Sequence, residues 1–152
     1  MLENKRLHWI SFSNINRRTG KECIILIDAM GMLRMCYQLS DIALVAGSFT
    51  ERVGGHNILE PCWYGKPVLF GPHMHTQVEL VEMVKRYRAG EQVSQSELQN
   101  ILGKWIQNPK EAQELGKNGL RLIHDMQGAT TITLDALKSF SCLKALSRRD
   151  FN

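Results

Sequence analysis

Short apolar runs alternate along this chain with stretches in which apolar residues recur every three or four positions. Cys23-Ile24-Ile25-Leu26-Ile27, Ile42-Ala43-Leu44-Val45-Ala46 and Val68-Leu69-Phe70 are continuous runs, the pattern of strands covered on both faces. A weaker strand is predicted at Gln92-Val93. Helical spacing predicts helices over 32–39, 57–64 and 76–87, then from a Ser94 or Ser96 N-cap to Ile106, over 110–127 and over about 130–146. Their inward positions are read as Val78, Val81, Val84 and Tyr87, then Leu98, Ile101, Leu102, Trp105 and Ile106. Leu115, Leu122, Ile123 and Met126 follow, and last Ile132, Leu134, Leu137, Phe140 and Leu143. Gly116 and Gly119 read as weak points within their helix. The first twenty residues are unpatterned and end in the turn signal Thr19-Gly20, so residues 1–20 are expected to be an irregular lead-in, 21–146 one domain and 147–152 a basic tail.

Strands alternating with helices predict an α/β fold, a Rossmann-like parallel sheet with helices on both faces. Ligands in such sheets bind at the carboxyl ends of the strands, here the loops 28–31, 46–56 and 70–76. A chain of 152 residues with 43% apolar and 22% charged residues suits one globular domain and excludes a disordered or fibrous class.

The formal charge of +4 leaves two readings open, because much of the excess sits at the chain ends: solvated basic termini, or a surface that approaches phosphate-rich lipid. Nucleic acid is not an expected partner. Cys23, Cys36, Cys62 and Cys142 are widely spaced, which fits a reducing compartment. His56, His73 and His75 have no cysteine or carboxylate partners at a recognised ligand spacing, so no metal is expected. No apolar run reaches the length of a membrane span and the start of the chain lacks a signal-peptide core, so a cytoplasmic location is expected.

Candidate chemistry gathers in the three loops. Gly54-Gly55 lies directly before a predicted helix, where close backbone approach and free N–H groups favour a phosphate or carboxylate; a plain flexible turn is the alternative. Glu60 either closes a capping box with Asn57 as N-cap or accepts hydrogen bonds from ribose hydroxyls. Pro61 suits the first turn of that helix. His56 fits either a ligand contact or a structural role, and His73 and His75 face the same crevice. Met30, Gly31, Ser48, Glu51 and Arg52 occupy the rest of the rim, where Arg52 either offsets ligand charge or faces solvent. No catalytic triad order, P-loop or GxGxxG run is present, so pattern and spacing lead to an anion-binding α/β domain.

Three linked stretches carry a more specific likeness: Val45-Ala46-Gly47-Ser48-Phe49, Gly54-Gly55-His56-Asn57-Ile58-Leu59-Glu60-Pro61, and Gly65-Lys66-Pro67-Val68-Leu69-Phe70-Gly71-Pro72-His73. Together with Asp28-Ala29-Met30-Gly31-Met32-Leu33, they resemble the 3-deoxy-D-manno-octulosonic acid (Kdo) transferases of lipopolysaccharide assembly, over roughly residues 24–135. Ala29, Met32 and Ala46 depart from the residues usual in that family.

The resemblance implies the C-terminal half of a GT-B glycosyltransferase, incomplete at its N-terminus, which binds the donor CMP-Kdo. It places Met30, Gly31, Ser48, Gly54, Gly55, His56, Asn57 and Glu60 at the donor nucleotide, with Arg52 and His73 as further candidates. It assigns the catalytic base and the lipid A precursor to an N-terminal domain outside these residues, and implies that the parent enzyme sits peripherally on the cytoplasmic face of the bacterial inner membrane. No cofactor is implied, and this chain by itself is expected to be inactive. The competing readings are a nucleotide-binding module without catalysis and a GT-B domain for another nucleotide sugar, such as UDP-GlcNAc.

Overall fold

The computed structural model describes residues 7–139. They divide between two compact units, residues up to Ser40 and residues from Asp41 onward.

In the first unit, β1 (Trp9–Ser11) lies parallel to β2 (Ile24–Leu26), with Trp9 opposite Ile24 and Ser11 opposite Leu26. A 3-10 helix at Phe12–Arg17 follows β1, and α1 (Leu33–Leu39) follows β2. The stretch read as an irregular lead-in therefore contains a strand and a helical segment, and the division falls after Ser40 rather than after Gly20. Its order comes from polar contacts that have no apolar periodicity. The Glu22 carboxylate accepts from the Thr19 and Gly20 amides and from the Thr19 hydroxyl, closing the turn before β2. The expectation that this strand is covered on both faces is corrected: Ile25, Leu26 and Ile27 are 45%, 48% and 38% exposed.

The second unit holds a parallel sheet in the order β3 (Ala43–Val45), β4 (Val68–Phe70), β5 (Gly90–Gln92). Val45 pairs with Phe70 and Phe70 with Gln92, so all three carboxyl ends are level. Successive side chains of a strand point to opposite faces, and β4 feeds two cores accordingly. Val68 and Phe70 pack with Ile58, Cys62, Val84 and Leu122 on one side; Leu69 packs with Val93, Trp105 and Ala112 on the other. Among the described residues β3 pairs only with β4, with Ala43 and Val45 buried and Leu44 exposed, so the two-sided cover expected there is also corrected.

The helices are α2 (Leu59–Trp63), α3 (Val78–Tyr87), α4 (Gln95–Gln107), α5 (Pro109–Met126) and α6 (Ala129–Ser139). Ser94 caps α4 in a full capping box with Glu97, and Arg88 ends α3 in the left-handed conformation, at φ 54°. Val78, Ile106 and Met126, read as inward, are exposed, because each lies at an end of its helix, beyond the packed sheet. Ile132, Leu134 and Leu137 of α6 are exposed as well; Phe140, Cys142, Leu143 and the basic tail lie outside the described residues.

Gly116 and Gly119 are contact points of α5 rather than weak points. A β-carbon on Gly116 would run into the Gly65 carbonyl, and one on Gly119 would lie 3.1 Å from Cys62. The missing side chains let α5 lie directly on α2 and the turn after it.

Candidate functional site

The loops after β3 and β4 are tied into one rim. After β3 the chain makes a 3-10 helix at Ala46–Phe49 and turns back at Thr50–Gly55, where Gly54 takes φ +72° and donates its amide to the Thr50 carbonyl at 2.9 Å. The Gly55 amide donates to the His73 carbonyl at 2.8 Å, and the His73 amide to the Ser48 carbonyl at 2.9 Å. A β-carbon at Gly55 would strike the end of the buried Met74 side chain, so glycine lets the two loops approach without displacing Met74.

Beyond Gly55 the chain enters α2. The helix opens at Leu59, two residues later than expected, and the Asn57 Oδ1 accepts from the Leu59 amide at 2.9 Å. Asn57 thus caps the helix start from one position further out than a normal N-cap, and the reciprocal capping box with Glu60 does not form. Glu60 instead stands exposed in the first turn, without a hydrogen-bond partner among the described residues. The amides of His56, Asn57 and Ile58 likewise have no acceptor among the described residues. Pro61 sits in the first turn, where its missing N–H costs no helical bond.

Two clefts open on this rim. One of about 690 Å³ is lined by Glu51, His73, Met74, His75, Val78 and Gln92. The other, about 560 Å³, is lined by Asn57, His75, Thr76 and Gln77 among others. His75 borders both, over Gly54. Free amides, an exposed carboxylate and histidines beside a glycine turn can take up a ligand that carries both an anion and hydroxyl groups. Among the described residues no three His, Cys, Asp or Glu side chains converge as metal ligands.

No family model matches the chain. It is 32% identical over 121 residues to the 3-deoxy-D-manno-octulosonic acid transferase of Chlamydophila psittaci, over 79% of this chain and 28% of the relative. Identity to the transferase of the same name from Chlamydia trachomatis is 35% over the same shares of the two chains. A bifunctional glycosyltransferase/methyltransferase of Fusobacterium nucleatum is 38% identical over 75% of this chain and 18% of its own length. This chain is a homologue of Kdo transferases. It spans about 28% of the length of the chlamydial relatives. Its fold is that of the solved C-terminal CMP-Kdo binding domain of WaaA from Acinetobacter baumannii, with a TM-score of 0.72 over 80% of this chain and 64% of that one, at 24% identity.

Within this Kdo transferase-like domain, the structure brings Gly54, Gly55 and His73 together and places Asn57 and His73 at the clefts, while His56 and Glu60 are exposed next to them in the chain and line neither cleft. Arg52 is exposed in the turn before Gly54. Ser48 differs from the expectation of a ligand contact: it is fully buried, and its hydroxyl donates to the Val45 carbonyl and accepts from the Gly71 amide.

Met30 and Gly31 lie in the first unit, after the carboxyl end of β2, Met30 at 98% exposure and Gly31 at φ +78°. Beside them Asp28 accepts from the Ser13 hydroxyl at 2.6 Å and the Ser13 amide at 2.9 Å, and these bonds hold its carboxyl below the usual carboxylate range.

The sequence left Gln92 out of the rim and placed Met74 there only as an unmarked part of the loop 70–76. Gln92 ends a strand and Met74 is one apolar residue in a polar loop, and neither position carries a local signal. Cys62, against α5, is not reactive, because burial pushes its thiol up to about 12.

Proposed function

We propose that this chain is the donor-binding part of a Kdo transferase, which moves Kdo from CMP-Kdo to a lipid A precursor at the cytoplasmic face of the bacterial inner membrane. The observation that carries the reading is the Gly54–Glu60 turn: a glycine pair against the neighbouring loop, the exposed His56 and Asn57 with amides that have no acceptor among the described residues, and an exposed carboxylate five residues after Gly55.

In this reading the exposed amides of His56 and Asn57 hold the CMP phosphate, joined by the Nδ2 of Asn57, the Oδ1 of which is already used on Leu59. Glu60 accepts hydrogen bonds from the ribose hydroxyls. His56, His73 and Arg52 add donors around the phosphate and sugar.

Transfer breaks the bond between the Kdo anomeric carbon and the phosphate oxygen as the acceptor hydroxyl attacks. Aligned N–H groups stabilise the departing CMP without a metal. Removing the acceptor's proton needs a base, which we assign to the part of the enzyme beyond these residues; the chain by itself then binds donor without transferring it.

Calorimetric titration of the 152-residue chain with CMP, CDP and UDP tests the reading. The expected result is preferential binding of CMP, weakened about ten-fold or more by Glu60→Ala, the scale of a lost hydrogen bond to a charged group. Preference for UDP would overturn it in favour of another nucleotide-sugar donor.

A further inference from the structure

A continuous hydrogen-bonded belt crosses the sheet at the level carboxyl ends of β3, β4 and β5, and none of its side chains needs to touch a ligand. It starts at the Val45 carbonyl, which accepts from the Ser48 hydroxyl. The same hydroxyl oxygen accepts from the Gly71 amide at 2.6 Å. The Gly71 carbonyl accepts from Gln92 Nε2 at 3.1 Å, and Gln92 Oε1 accepts from Lys85 Nζ at 2.6 Å. Gly71 is therefore held on both its polar groups, by the 3-10 helix that follows β3 and by the end of β5. From this belt a branch runs to the site: the Ser48 carbonyl takes the His73 amide, and the His73 carbonyl takes the Gly55 amide.

We infer that Ser48 and Gln92 are positioning residues, which set the loop at 70–76 and through His73 fix the Gly54–Glu60 turn. Three features separate this role from ordinary loop bonding. Ser48 is fully buried with its hydroxyl engaged as donor and acceptor, so the bonds do not compete with water. Gly71 has no side chain with which to hold its own place, and a β-carbon there would lie 2.5 Å from the Ser48 carbonyl oxygen, so only a bare backbone lets the belt close this tightly on the start of the loop. Finally, Gln92 both holds Gly71 and lines the larger cleft, and so couples the end of β5 to the wall of the site. A displacement of a loop by about 1 Å can cost a hundred-fold where positioning is what a site supplies.

The inference rests on the donor-site reading for its effect on ligand, but its effect on the loops is independent of any ligand. Ser48→Ala, Gln92→Ala and Gln92→Glu would be compared with the unaltered chain by hydrogen exchange at the Gly55, Gly71 and His73 amides without ligand, and by CMP titration. Gln92→Glu keeps an acceptor for Lys85 but replaces the donor to the Gly71 carbonyl by a carboxylate oxygen, and it leaves the core intact should Ser48→Ala fail to fold. All variants that fold are expected to exchange at least five-fold faster at His73 and Gly55 and to bind CMP about five- to ten-fold more weakly, while the amides of α4 keep their protection.

Unchanged exchange at Gly55 and His73 in both Gln92 variants would overturn the proposal. So would wild-type behaviour of Gln92→Glu beside a defective Gln92→Ala, because the bond to Gly71 would then not be the one that matters. Equal loss of protection throughout the sheet, with CMP affinity unchanged, would reduce the belt to a stabilising contact and also overturn it. Faster exchange at the loop amides in a protein that binds no CMP in any form would uphold the positioning role and sink the donor reading instead.

Discussion

β2 and β4 begin from nearly the same message, a short run of uninterrupted apolar residues, and end in different environments. Val68, Leu69 and Phe70 are each 0% exposed, whereas Ile25 and Leu26 are 45% and 48% exposed. β4 has a strand on either side and a hydrophobic cluster on each face. β2 pairs only with β1 among the described residues. A continuous apolar run states that a strand can be covered, while its cover is supplied by elements far away in the chain. What orders the first unit is different in kind: the Glu22 carboxylate closes the turn before β2 and the Asp28 carboxylate ties the loop after β2 to the 3-10 helix at Ser13, each by accepting amide and hydroxyl bonds.

The contrast can be broken most sharply at its two strands. Phe70→Ala is expected to cost about 3–5 kcal/mol in urea unfolding, since it removes a fully buried ring between packed neighbours. Leu26→Ala, in a side chain already half in water, is expected to stay within about 1 kcal/mol. Comparable losses from the two substitutions would mean that β2 is covered as completely as β4.

A smaller effect tests whether close backbone packing, as well as apolar area, holds the second unit. Gly116→Ala should lose about 1–3 kcal/mol, because the added methyl meets the Gly65 carbonyl, a backbone atom that cannot swing away. Gly103→Ala in α4, where a β-carbon meets nothing within 4 Å, should gain about 0.5–1 kcal/mol through helix propensity.

The smallest expected effect sets the polar first unit apart by pH. The Thr19 amide, with further bonds from Glu22's own backbone and the Thr19 hydroxyl, lowers the Glu22 carboxyl from 4.5 to about 2. A carboxyl lowered on folding stabilises the fold fully above its unfolded value, and that stabilisation is lost as the pH falls through the folded value. The protection of the Ile24 amide, whose N–H bonds the His8 carbonyl, measured against the intrinsic exchange rate at each pH, should therefore fall between about pH 4.5 and pH 2. In Glu22→Gln that step should vanish; its persistence would assign the acid sensitivity to other groups, with Asp28 the first to examine.

Much of the second unit was legible in the chain. The strand at Val68–Phe70, the capped helix after Ser94 and the amphipathic stripe of α3 follow from local pattern, because each buries a face that its own periodicity defines. The site was legible as a glycine-rich turn ahead of a helix. Its inner construction was not: Ser48 looks like any rim serine until its burial is known, and Gln92 like any strand end until Gly71 is seen beside it.

By itself, then, the sequence determined the alternation of strands and helices, the glycines that allow the turn at Gly54 and Gly55, and a likeness to the Kdo transferases that the comparisons bear out. Only the tertiary structure decided which apolar runs are covered, that Asn57 rather than Glu60 closes the helix start, and that Gly116 is a contact. The physical reason is range. Propensity, capping and turn chemistry act over three or four residues, whereas burial and the bonds from Ser48 to Gly71 and from Gly71 to Gln92 join positions some twenty residues apart, which only the folded sheet brings together.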